Sequence, residues 1–373
     1  MSPARTFDAL VDAVSACVSG DAAAVVKAFS AVPAPEFYAA AVRHRCAGLL
    51  LSAIVEMRLH GGAAAELRKL LQRYAAACAL DSANLPGQIT ALVRTLKSAG
   101  VPHALLKTAA KLYAGDRRAQ WSQTHDIDVF VPAMRAADAL DALQQAGYLQ
   151  SAADGTVRAY RLHHHHLAPL AAPRGGKPVE VHVALAPRRA FSTRTDWDAL
   201  FATLQEVAGE AGSALRLDAY GRCLHMLLHG AGLYRLSDAA QIAMELAADP
   251  PLLAVLSKTA ASETVQPVAV KAVLAMAARI ACMPFEREAA VDAYLDWVRV
   301  REDLPARFRG RMHFVDAWYA NGGRLRGPAT MLAVPRNVRA VRRTPCYREL
   351  AGRAFAALAA YALVLRKGGG ARA

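Results

Sequence analysis

The chain has 373 residues, enough for two or three packed parts, and its 54% hydrophobic content supplies a sizeable core. Its formal net charge is +14, but from Arg301 onward there are 15 Lys and Arg against 4 Asp and Glu, a net of +11, so the remainder is close to neutral. This asymmetry excludes a uniformly basic protein and gives the C-terminal part either a solvated Arg-rich surface or an acidic partner: nucleic acid, anionic lipid or a phosphorylated substrate.

Six dispersed cysteines with no CxxC pair exclude a disulfide framework or a cysteine-based zinc site, and fit reduced thiols in a cytoplasmic protein. The first residues, Met1 to Arg5, lack the apolar core of a signal peptide. The late apolar run from Ala354 to Leu365 falls well short of the roughly 20 residues that span a bilayer. No transmembrane segment is expected.

Taken in order, residues 1–98 read as helices. Phe7, Leu10, Val11, Val14 and Val18 recur at helical spacing, as do Phe37, Ala40, Val42 and Cys46, and the pattern continues from Ala64 to Leu96 with a break near Pro86. His44 and Arg45 fall on one of these helices, at its surface or at the edge of the core. From Gly100 the period changes. Val101 to Leu106 reads as a short strand leading into a helix at Lys107-Thr108, and residues 115–125 form a polar loop. A β-branched strand over 126–131 follows, then an amphipathic helix over 132–146 stopped by Gly147. Residues 157–170 and 177–185 read as two strands joined at Pro173-Arg174-Gly175-Gly176. After Pro187 helices return: Trp197 to Val207, Leu217 to Leu233, one capped by Ser237 and running to Leu246, then Val265 to Ala281 and Arg287 to Val300. A basic, partly irregular segment precedes a last helix near 347–366. The fold class is therefore α+β: a small mixed β-sheet core over 99–190, flanked by helical regions over 1–98 and 191–303, with a basic segment over 304–373.

The chemistry concentrates in His125-Asp126-Ile127-Asp128-Val129-Phe130-Val131. Strand alternation puts Asp126 and Asp128 on one face, where two carboxylates repel unless a cation lies between them. Oxygen ligands of this kind suit Mg²⁺ or Mn²⁺ shared with substrate phosphates. A second alternating strand, Val179 to Val183, offers Glu180 as a third carboxylate and His182 on the same face. His163 to His166 alternate faces, so at most two of them converge on one ion, and substrate-side or surface roles are expected. His225 and His229 lack the Glu that a zinc protease helix needs between them; His229 and Asp238 are expected to pack the helical region beside the site.

Leu105-Leu106-Lys107, the Asp-x-Asp strand, Gly147-Tyr148, Glu180 with His182, and His229 followed by Asp238 appear in an order that resembles a bacterial "nucleotidyltransferase family protein", related in fold to the DNA polymerase β superfamily. The resemblance implies transfer of a nucleotidyl group from a nucleoside triphosphate to a hydroxyl or phosphate acceptor (peptide, sugar or acidic). It implies Asp126, Asp128 and Glu180 as catalytic metal ligands, and Lys107, Thr108, Arg118 and His182 as nucleotide-binding residues. The sequence departs from the pattern in four ways: Thr108 stands where the turn has Gly, the superfamily's Gly-Ser pair is absent, Gln123 stands near the place of an Arg, and the third carboxylate, Glu180, is Glu instead of the commoner Asp. Two other readings remain open. One is a non-catalytic binding or scaffold protein working through its basic tail, nucleic acid among its partners. The other is a His-Asp metal phosphohydrolase built on His125-Asp126.

Overall fold

The computed structural model describes residues 3–150, 165–185, 196–233, 235–262 and 267–285, with scattered helical positions between 290 and 298. The expected strand over 157–164, His163, His164 and everything from 304 onward lie outside the described residues.

Helices open the chain: α1 (Pro3–Ser19), α2 (Ala22–Ser30), α3 (Ala34–Arg43), α4 (Ala47–Glu56), α5 (Gly62–Asp81) and α6 (Leu85–Ser98). Local chemistry sets their limits. Gly20 takes φ +75° to end α1, and the Asp21 carboxylate then accepts from the Ala24 amide to start α2. Pro86 sits in the first turn of α6, where a missing N–H costs nothing.

A seven-stranded mixed sheet follows, with β1 (Ala104–Leu105), β2 (Ile127–Phe130), β3 (Leu149–Gln150), β4 (Leu170–Ala171), β5 (Val179–His182), β6 (Gln205–Gly209) and β7 (Gly212–Arg216) in the order β3-β4-β5-β2-β1-β7-β6. At its centre β2 runs parallel to β5 and antiparallel to β1. Helix α7 (Lys107–Tyr113) leaves β1, and α8 (Ala136–Gln145) follows β2. The last helices are α9 (Ala219–Leu233), α10 (Leu236–Ala248), α11 (Leu252–Ser262) and α12 (Pro267–Ile280). No helix among the described residues is long and apolar enough to cross a membrane.

Alternation along the strands divides the molecule into two cores. Leu105, Ile127, Val129, Val131, Val179 and Val181 face one way and pack with Ile89, Leu92 and Leu96 of α6, Leu112 of α7 and Leu143 of α8. Ala104, Leu106 and Phe130 face the other way into a larger core, which α1–α5 share with α9–α12. The helical segments before and after the sheet thus form one body, and the sheet lies between it and α6–α8. Asp128, Glu180 and His182 have the parity of Phe130, so they project toward the joint with that body.

Three local expectations differ from the structure. Residues 197–207 are not one helix: a 3-10 turn, Asp198–Thr203, leads into the β6–β7 hairpin, whose Gly212 takes φ +88°. Trp197, Leu200, Phe201 and Leu204 mimic helical spacing, but Gly209 and Gly212 just beyond disfavour helix and β7 gains parallel pairing with β1. His44 caps the end of α3 and is buried instead of lying at a surface or core edge, its ring 4.7 Å from Phe7. Ser237 lies inside α10, and Arg235 occupies the N-cap.

Phe130 joins the sheet to the helical body, fully buried and stacked on Phe201 at 4.8 Å. Phe130→Ala is expected to cost about 3–5 kcal/mol of unfolding free energy, read from urea denaturation. A loss below about 1 kcal/mol would contradict the packing described.

Candidate metal and phosphate site

The backbone places the acidic side chains before any ligand is considered. In the β2–β5 pair Asp128 is the register partner of Glu180, and Phe130 is the partner of His182. Parallel pairing sets these Cβ atoms side by side. One ligand atom each from Asp128, Glu180 and His182 therefore falls within 4.8 Å of the others. The antiparallel neighbour β1 ends where the Leu106 amide donates to the Asp128 carbonyl at 3.1 Å. Lys107 then turns with φ +46°, a left-handed value a lysine rarely adopts, and its Nζ donates to Asp128 Oδ2 at 2.8 Å. His182 Nε2 donates to Asp128 Oδ1 at 2.8 Å.

This arrangement sorts the charges. Burial works against ionising Asp128, yet Lys107 and His182 outweigh it and hold the carboxyl well below the usual range. Burial likewise opposes the Lys107 ammonium, and Asp128 more than restores it, so its pKa is raised. Glu180 has no such cation: burial, then Asp128 and Asp126, push it up to about 8. Asp126, half-buried just ahead of β2, is raised by burial and by Asp128. His166 is consistent with a neutral Glu180. Its Nδ1 donates to the Leu167 carbonyl at 2.7 Å, which turns the Nε2 lone pair toward Glu180 Oε2 at 3.3 Å.

A histidine layer backs the site. The His182 ring lies 5.0 Å from His165, 5.2 Å from His166 and 6.0 Å from His225 on α9. His225 is neutral, its pKa far below normal through burial and then Lys107. One turn on, His229 Nδ1 donates to Asp238 Oδ2 of α10 at 3.2 Å. From the sequence, His229 and Asp238 are expected to pack the helical region against the α/β unit; the bond they make joins α9 to α10 within the helical body.

The other expected residues scatter. Thr108 is half-buried in the first turn of α7, next to Lys107. Arg118 lies in the 3-10 turn Arg117–Trp121 and forms an ion pair with Glu56 of α4, not with the carboxylates. His125 is exposed and, with Asp126, leads into β2, which removes the helical setting a His-Asp phosphohydrolase requires. The sequence leaves His166 a substrate-side or surface role and gives His225 none, and the structure sets His166 against Glu180 and His225 against His182. Only the parity of His166 with the later strand would have pointed to it, and no spacing signal brings α9 to β5.

Two adjacent carboxylates, one ionised and one poised to ionise, fit a hard divalent cation, and the neighbouring imidazole tilts that fit toward Mn²⁺. Without such a cation Glu180 carries a penalty with a definite sign. The folded protein keeps the Glu180 proton up to about pH 8, whereas the unfolded chain loses it near 4.5, so its contribution to stability falls as pH rises between them. Glu180→Gln does not titrate. In metal-free protein it should therefore gain about 3–5 kcal/mol over wild type at pH 9 and about 1 kcal/mol at pH 5, measured by chemical denaturation. A pH-independent difference would contradict the raised Glu180.

A family model described as an uncharacterised nucleotidyltransferase matches residues 30–278, about two-thirds of the chain. No curated protein and no solved structure matches it.

Proposed function

We propose that this chain, which belongs to the uncharacterised nucleotidyltransferase family, moves a nucleotidyl group from a nucleoside triphosphate to a hydroxyl or phosphate acceptor. The observation that carries the reading is the register pairing of Asp128 with Glu180 beneath the Lys107 ammonium. Asp126, Asp128 and Glu180 would hold Mg²⁺ or Mn²⁺. When bound, such a cation neutralises phosphate charge and fixes the phosphate chain.

The chain's own groups do the rest. Lys107 exchanges Asp128 for a phosphate oxygen of the incoming nucleotide, with Thr108 beside it. Arg118 reaches the same phosphates only by leaving Glu56. The acceptor O–H attacks the α-phosphorus, the bond to the β-phosphate oxygen breaks, and pyrophosphate leaves. Glu180 would give up the proton it otherwise keeps on binding the cation, and the ionised carboxylate would then help deprotonate the acceptor. His182 holds the Asp128 carboxylate in place and the His225 layer excludes water behind it. The reaction places the protein in the cytoplasm, where nucleoside triphosphates are abundant. The acceptor is a peptide, a sugar or an acidic molecule, and the basic C-terminal segment would attract a nucleic acid or another polyanion with steep salt dependence.

One observation favours a second reading. Lys107 and His182 already satisfy both oxygens of Asp128, so the sheet can be stable as a binding module without a cation. Thermal shift with ATP, GTP, CTP and UTP, with and without Mg²⁺ or Mn²⁺, separates the two. At a hundredfold excess over Kd the preferred nucleotide should add about 2.7 kcal/mol of stability, and only with metal. Asp126→Asn combined with Asp128→Asn should abolish that shift. A nucleotide shift unaffected by metal and by both substitutions would sink the catalytic reading and leave the binding module.

A further inference from the structure

The triad and Lys107 leave one charge of the site unexplained. It comes from the helical body, outside every motif of the sheet. Helix α3 ends in a tight reversal: the Cys46 amide donates to the Ala41 carbonyl at 2.8 Å and the Arg45 amide to Val42 at 3.1 Å. This is the Schellman pattern, and the residue at its left-handed position is usually glycine. Here it is Arg45, at φ +57°. Arg58 after α4 and Cys282 after α12 share this left-handed backbone, so what sets Arg45 apart is its surroundings.

The surroundings show where it is. His44, one residue earlier, accepts from the Ser237 amide at the start of α10, which fastens the turn to the helix that carries Asp238. Three residues later Gly48 of α4 lies so close to the loop before β2 that a Cβ there would stand 2.5 Å from Ser122 Oγ and 3.2 Å from the Trp121 carbonyl. Tyr74 of α5 lies beside the Gln123 backbone of the same loop. The Arg45 turn is thus docked against the segment that delivers Asp126. The charge of the guanidinium is felt at Tyr74 and at His125, whose pKa is lowered by burial and then by Arg45. Yet Arg45 is half-buried and has no ion pair or side-chain hydrogen bond among the described residues. The other cations nearby are engaged: Lys107 with Asp128, Lys177 with Asp81 and Arg118 with Glu56.

We propose that Arg45 is the guanidinium that grips the phosphate chain of the substrate, across the cleft from Lys107, and so supplies from the helical body the cation that is lacking at Gln123. The proposal rests on the nucleotidyl-transfer reading and deepens it. A planar fork of donors suits a condensed phosphate, whose oxygens it can engage two at a time, while Lys107 acts on it as a point charge. A nucleotide bound on the sheet carboxylates would then draw the helical body onto the sheet through Arg45.

The probe is inorganic tripolyphosphate, titrated calorimetrically into the full-length protein with saturating Mn²⁺, after Mn²⁺ alone. Arg45→Gly is the decisive variant, because glycine is at ease at φ +57°. It should raise the melting temperature by about 1–3 °C and leave Mn²⁺ affinity unchanged. Its tripolyphosphate affinity should fall about ten- to a hundredfold, with a shallower salt dependence. Arg45→Lys should recover part of that loss. Unchanged tripolyphosphate affinity in Arg45→Gly, with Mn²⁺ still bound, overturns the role of Arg45 and leaves the carboxylate reading standing. Failure of the wild type to bind Mn²⁺ at all, or tripolyphosphate in its presence, removes both.

Discussion

A buried carboxylate with two positive or N–H partners is the constraint from which the site follows. Asp128 is 4% exposed, in the middle of the sheet, where an unpaired charge would be prohibitive. Lys107 compensates it from the start of α7, just past β1, and His182 from β5, so β1, β2 and β5 must hold their register for the charge to be tolerable. A slip of one residue would bury Ile127 among histidines and turn Asp128 into the apolar core beneath. Removing either partner would leave that charge uncompensated, at a cost of about 3–5 kcal/mol for a buried pair. Polar chemistry and fold specification are here one interaction.

Glu180 is the other half of the arrangement. Register places it next to Asp128 without giving it a cation, and it responds by holding its proton to about pH 8. A fold selected for stability alone would not set a second carboxyl there. The same face carries His182, against which His165, His166 and His225 are packed, so helical body and sheet meet through a polar layer. Phe130, one pleat along, supplies the apolar part of the same joint. The joint between the two layers thus holds charge as well as apolar packing.

The central strands were legible because their pattern is unambiguous. Ile127, Val129 and Val131 alternate with Asp126, Asp128 and Phe130, and Val179 and Val181 alternate with Glu180 and His182. The polar face could be read directly from that period. Trp197 to Val207 reads as one helix because Trp197, Leu200, Phe201 and Leu204 fall at helical spacing, whereas a 3-10 turn there leads into a hairpin whose place is set by pairing with β1. The ion pair of Lys107 with Asp128 needs the turn at the end of β1, which no local pattern encodes. Arg45 is the clearest case. It looks like an ordinary helical arginine in the sequence; its left-handed backbone belongs to the turn that ends α3, and its place near His125 comes from packing between segments some eighty residues apart.

The most direct measurement is anomalous diffraction from crystals soaked in Mn²⁺ near pH 8. The account predicts one strong peak within coordination distance, about 2.0–2.3 Å, of both the Asp128 and Glu180 carboxylates, with Lys107 displaced from Asp128. A map in which those carboxylates keep Lys107 and His166 as their neighbours, and the manganese lies elsewhere or nowhere, would contradict it.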